Sequence, residues 1–233
     1  MTITSRVKAV IFDLDGTIAN FNLDYKTLRG EVRSYLLRVG VPAAVLSAKD
    51  NVFDMLRKTM IFMKNTRKIN KEIEEIRNEV WAIAEKHELE AASNTDLLPG
   101  AYETLKALKQ MDLKIGLFTL NSDKAANYII QRFKLGGFFG VMVPRNKVNF
   151  VKPNPEHLQM ALKVLGATAE ETVVVGDSEV DMESAREVQA IAVGLCATAS
   201  KADRLTRHGA NYLITSITDL PVLLEKEKEQ TPK

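Results

Sequence analysis

The chain has 233 residues, 45% of them hydrophobic and 27% charged, with a formal net charge of +2. That length suits one large domain or two small ones with a sizeable buried core. Interspersed charges near balance give no electrostatic reason to expect nucleic acid or an anionic membrane surface as partner, while small anions held at a local site stay open.

The start, MTITSRVKAVIF, runs directly into a strand pattern with no separate apolar signal core. No apolar run nears the ~18 residues of a membrane span, so the expected location is the cytoplasm. Val7 to Phe12 reads as a first strand, followed by Asp13-Leu14-Asp15-Gly16-Thr17. Two carboxylates two residues apart at a strand's carboxyl end point into one pocket, and Gly16 allows a sharp turn there. Carboxylates this close repel each other, and a hard divalent cation with oxygen ligands relieves them.

From about Phe21 to Asn94 no strand is legible. Leu28, Val32, Tyr35, Leu36 and Val39 recur at helical spacing until Gly40-Val41-Pro42. Val52 to Met63 and Ile69 to Ala92 continue as helices, the last with Ile73, Ile76, Val80, Ile83 and Ala84 as its apolar stripe. The run Met55 to Lys64 reads as an amphipathic helix with a solvated basic face, on which Arg57 and Lys64 are candidates for a second anionic group. This stretch is expected to be an inserted helical subdomain, with Ala19-Asn20 and Ser93 to Asp96 as polar or small hinges. Trp81 belongs to its core.

Strands then alternate with helices. The helix Ala101 to Gln110 is opened by Pro99-Gly100, and the strand Leu113 to Phe118 leads to Thr119-Leu120-Asn121-Ser122. Hydroxyls and free amides at such a turn bind phosphate oxygens or cap the next helix, Lys124 to Phe133. After a strand at Val141 to Val143 comes Val151-Lys152-Pro153-Asn154-Pro155, where flanking prolines restrict the lysine and Pro155 suits the first position of a helix to Leu165. Thr172 to Val175 reads as a strand ending in Gly176-Asp177-Ser178-Glu179-Val180-Asp181, with a helix from Asp181 to Val188. Ala190 to Leu195 is a further strand, and Cys196, the sole cysteine, reads as a buried structural thiol at its end. His87, His157 and His208 lack metal-ligand spacing and read as structural or exposed. The charged end EKEKEQTPK is expected to fray.

Strands apolar on both faces, alternating with helices, imply a doubly wound α/β domain with a parallel sheet. All four polar motifs fall at strand carboxyl ends, where such a sheet gathers ligands.

DLDGT, a strand ending in Thr119, KPNP and GDSEVD, in this order, resemble the haloacid dehalogenase superfamily. The chain is most similar to its phosphatases of the phosphoglycolate phosphatase type, with a helical cap after the first motif. The resemblance runs from Val7 to about Ile217. It implies a Rossmann-like core at 1–19 and 96–233, an inserted α-helical cap at 20–95, and a Mg²⁺-dependent phosphatase acting on a small phosphorylated metabolite, as monomer or homodimer. Asp13 would be the nucleophile that forms an aspartyl-phosphate, and Asp15 the acid and then base. Thr119 and Lys152 would hold the phosphoryl group. Mg²⁺ would be held by Asp13, Asp177 and Asp181, and by Asp15 through its backbone carbonyl. Four aspartates, Lys152 and Mg²⁺ sum to about −1, or to 0 with Asp15 protonated, which makes room for a phosphate anion. A sugar-phosphate phosphomutase is the closest rival, against which Thr17 leans modestly. A noncatalytic phosphometabolite-binding module is another, which the full set of motif residues disfavours.

Overall fold

The computed structural model describes residues 7–229. In chain order the elements are β1 (Ala9–Phe12), β2 (Ala19–Asn20), α1 (Tyr25–Arg38), α2 (Val52–Asn65), α3 (Asn70–Ser93), β3 (Asp96–Leu97), α4 (Ala101–Gln110), β4 (Lys114–Thr119) and α5 (Asp123–Arg132). There follow β5 (Val141–Pro144), α6 (Pro155–Leu165), β6 (Thr172–Gly176), α7 (Glu179–Val188), β7 (Ile191–Leu195), α8 (Ala199–Arg207), β8 (Tyr212–Ile214) and α9 (Asp219–Glu229). Among the described residues they form two compact units, 7–21 with 92–229, and Asn22–Ala91.

The larger unit is an α/β Rossmann-like domain around a six-stranded sheet in the order β5-β4-β1-β6-β7-β8, every pair parallel. Alternate residues of β1 serve opposite faces, as a pleated strand requires. Val10 and Phe12 pack with Leu105, Leu108, Ile129 and Leu220 in one core, while Ala9 and Ile11 pack with Leu158, Ala161, Met182 and Leu205 in the other. Burial on both faces explains why β1 and β6 read as unbroken apolar runs.

The order also sets where chemistry can gather. From β1 the chain proceeds outward to β4 and β5, then returns to β6 on the other flank of β1 and proceeds to β7 and β8. Beyond the carboxyl ends of β4, β1 and β6 the direction of winding switches, which opens a crevice. The register aligns Phe12 with Leu117 and Val175, so Asp13, Thr119 and Asp177 leave their strands close to the same level. Asp13 N–H still donates to Val175 O at 2.9 Å, so the residue is pinned where the strand ends.

The smaller unit is helical. Leu28, Val32 and Leu36 of α1, Met55, Leu56 and Met63 of α2 and Ile73, Ile76, Val80 and Ile83 of α3 share one core. Phe53 and Trp81 meet there at 5.2 Å between ring centroids. Asp24 and Asn51 cap α1 and α2 by accepting backbone N–H bonds. Arg57 pairs with Asp54 on its own helix.

Several elements differ from the sequence expectation. The segments read as hinges pair with each other as an antiparallel ribbon, β2 with β3. The helix α8, the edge strand β8 and the final helix α9 had no expectation. The tail expected to fray from Glu225 is helical to Glu229, and its last four residues, 230–233, lie outside the described residues, as do 1–6. Cys196 is buried just after β7. No helix among the described residues is long and apolar enough to cross a membrane.

Candidate active site

β1 delivers Asp13 into the crevice, where it is almost wholly buried. The turn after it depends on glycine. Gly16 has φ +71°, and a Cβ there would meet Asp177 Oδ2 at 2.5 Å. Gly176 is equally constrained, because a Cβ on it would collide with the Asp181 side chain.

Lys152 reaches the same place from the loop before α6. Its ammonium donates to Asp13 Oδ1 at 2.5 Å and to Asp181 Oδ1 at 2.7 Å, with all three side chains at least nine-tenths buried. It also lies 4.0 Å above the centre of the Phe118 ring. Burial works against the ammonium, but the adjacent Asp13 and Asp181 carboxylates outweigh it and keep the lysine charged. At Asp13 burial raises the carboxyl well above its usual range. Lys152 pulls it back only in part, and Asp181 and Asp15 push it further up.

Asp177 and Asp181 come from the β6–α7 turn. With Asp13 they form a group whose ligand oxygens lie within 4.8 Å of one another. Asp181 Oδ2 accepts from Ser178 N–H and from its hydroxyl, so this residue caps α7 with one oxygen and binds Lys152 with the other. The Asp177 carboxyl is raised by burial, while Lys201 works the other way.

The Asp15 carboxylate stands outside that group of three. Its Oδ1 accepts from Asn121 Nδ2 at 2.7 Å. Thr119, fully buried at the end of β4, accepts from Asn121 N–H at 3.1 Å. Asn121 therefore ties the threonine to the second aspartate. Ser122 caps α5 by accepting from Ala125 N–H. Behind this loop the buried Arg145 donates to Leu120 O, and its N–H donates to Asn121 O.

Three contributors were not assigned from sequence: Asn121, Lys201 and His157. Asn121 stands two residues past a strand-end threonine, the one position from which it could have been inferred. Lys201 Nζ binds Asp177 Oδ2 at 2.6 Å. With it, four aspartates, two lysines and a divalent cation sum to about 0 rather than −1. His157 reads as structural or exposed from sequence and is fully buried. Its Nδ1 accepts the Lys152 N–H at 3.2 Å, and its Nε2–H donates to Val143 O at 2.8 Å. That pairing holds the ring neutral and steadies the lysine's backbone.

Burial, with Lys152 assisting, lowers the His157 pKa to about 4 from an ordinary 6.5. The folded state therefore binds fewer protons there than the unfolded chain, and its stability falls as pH drops from about 6.5 toward 4. Relative to His157→Gln, the wild type should lose on the order of 3 kcal/mol between pH 7.5 and 4. Urea unfolding of both proteins at the two pH values measures this. A pH-independent difference refutes it.

The donor set suits a hard cation. It is all oxygen and comes from three adjacent carboxylates, where burial first, and then the neighbouring acids, hold the Asp13 carboxyl high.

Residues 7–189 match the family described as haloacid dehalogenase-like hydrolase. Pyrophosphatase PpaX of Listeria innocua is 28% identical over 230 residues, covering 97% of this chain and 100% of that protein. A hydrolase structure from Pseudomonas syringae superposes with a TM-score of 0.66 at 25% identity, over 94% of this chain and 98% of the other. A Thermotoga maritima structure, provisionally named a beta-phosphoglucomutase, covers 97% of this chain and 100% of its own with TM-score 0.60 at 22% identity.

Proposed function

Because the chain belongs to the haloacid dehalogenase-like hydrolases, we propose that it is a Mg²⁺-dependent phosphatase that hydrolyses a small phosphorylated metabolite through an aspartyl-phosphate on Asp13. The observation that carries this reading is the buried Lys152 ammonium bonded to both Asp13 and Asp181, with Asp177 alongside. An ion cluster this dry costs desolvation energy, and a merely structural role has no need of three converging carboxylates.

In the first half-reaction an Asp13 oxygen bonds to phosphorus as the bond to the leaving oxygen breaks, and Asp15 gives that oxygen a proton. In the second, Asp15 takes a proton from water, whose oxygen displaces Asp13 and releases inorganic phosphate. Asn121 orients Asp15 for both transfers, and Lys152 offsets charge on the phosphoryl oxygens. Thr119 has its hydroxyl hydrogen available for a phosphoryl oxygen while its oxygen accepts from Asn121. Asp13, Asp177 and Asp181, with the Asp15 carbonyl, would hold Mg²⁺, which supplies Lewis-acid neutralisation of the phosphate. The helical unit is assigned the role of substrate-selecting cap, and the cytoplasm is the proposed setting.

The test is phosphate release from a panel of phosphorylated metabolites with Mg²⁺ and with excess chelator. The panel includes phosphoglycolate, hexose phosphates and inorganic pyrophosphate, the last because the PpaX relative is named for it. Turnover of at least one compound that stops with chelator is expected. Interconversion of hexose phosphates without release would instead identify a mutase, and binding without turnover across the panel a noncatalytic module.

A further inference from the structure

Lys201 places a second ammonium at the site. It binds the Asp177 oxygen that also lies against Gly16, and the paired side chains are 27% and 24% exposed. Its position is fixed from several directions. Thr198 caps α8 by accepting from Lys201 N–H, which sets the lysine in the first turn. Three and seven residues on, Arg204 pairs with Glu179 at 3.3 Å and His208 approaches Glu183 at 3.7 Å. This series of pairs lays α8 along α7 and aims Lys201 at the acidic group.

The Lys201 ammonium, 2.6 Å from Asp177 Oδ2, competes for the charge of a carboxylate that would ligate the cation, and the two positive charges repel. We propose that Lys201 sets the divalent-cation affinity of the site: it holds Asp177 as a counter-charge and yields the carboxylate when the cation enters. The inference rests on the reading that Asp13, Asp177 and Asp181 hold the cation. The competing account is that Lys201 only ends the series of pairs between α7 and α8, in which case it contributes to stability and leaves cation affinity alone.

Calorimetric titration of Mg²⁺ into the full chain, without substrate, separates the two. Lys201→Met should bind Mg²⁺ about fivefold or more tightly than wild type. Lys201→Gln, which keeps a polar end and guards against misfolding of the first variant, should shift the same way. Arg204→Gln removes the next pair and should leave affinity within about twofold, because an exposed charge outside the site is screened. Circular dichroism checks the fold of each. Affinity unchanged or weakened in both Lys201 variants overturns the inference. So does equal tightening in Arg204→Gln, which would reveal only a net-charge effect. If wild type binds and Asp177→Asn does not, a failure of the Lys201 variants sinks this inference alone. If wild type binds no Mg²⁺, the cation-site reading fails and the inference goes with it.

Discussion

Asp13→Asn should lower turnover by at least about 10³-fold while leaving the protein folded, because it removes the nucleophile and little of the packing. The amide keeps nearly the shape of the carboxylate and still offers Lys152 an oxygen. What it lacks is the charge needed to attack phosphorus. Stability should not suffer, because burial and the neighbouring carboxylates already disfavour ionised Asp13 in the folded state. Steady-state kinetics on whichever substrate the panel identifies, together with a thermal melt, measures both. Residual turnover within tenfold of wild type would remove Asp13 as nucleophile, whereas a lost melting transition would indicate a structural role.

Lys152→Met should damage both activity and stability. Removing one partner of a buried ion cluster leaves uncompensated charge, at a cost of about 3–5 kcal/mol. Here two carboxylates lose one ammonium, and the side chains are too dry for solvent to take its place. Turnover should fall by about 10²–10³-fold or more, because a transition-state cation is also lost. The stability deficit should depend on pH. Without the lysine, the Asp13 carboxyl is raised further in the folded state, so the fold binds more protons than the unfolded chain and regains stability as pH falls. The deficit should therefore be smallest near pH 4 and grow as pH rises through the raised carboxyl range. Chemical denaturation of variant and wild type from pH 4 to 8 tests this. A deficit that does not vary with pH would mean that packing of the lysine's stem, rather than its charge, is what the cluster needs.

The candidate site was legible to different depths. Asp13, Asp15, Thr119 and Asp177 stand out because they lie at or just past the end of an apolar strand, Asp181 because it follows Asp177 by four residues, and Lys152 because prolines crowd it, and local pattern is enough to find such positions. Asn121 lies in the Thr119–Ser122 turn, yet its partner Asp15 is 106 residues away. His157 looked unremarkable because its value comes from bonds to Lys152 N–H and Val143 O, which exist only once α6 packs beside β5. Lys201 sits in a helix that turns a narrow apolar face to the core, with Leu205 its one buried residue. Such a helix gives little periodic signal. β8 is a three-residue edge strand, and β2 and β3 have two residues each, too short for alternation to register.

By itself the sequence determined a parallel α/β core, a helical insertion after the first strand, and the residue types placed at the strand ends. Apolar periodicity is a local property, readable wherever burial on one or both faces dictates side-chain type. Tertiary structure alone decided which charges touch: that one ammonium bridges Asp13 and Asp181, that a second reaches Asp177, and that an amide holds Asp15. Those contacts join residues from 24 to 139 positions apart. They follow from strand order and register, which bring separate turns to one level of the sheet and have no counterpart in local spacing.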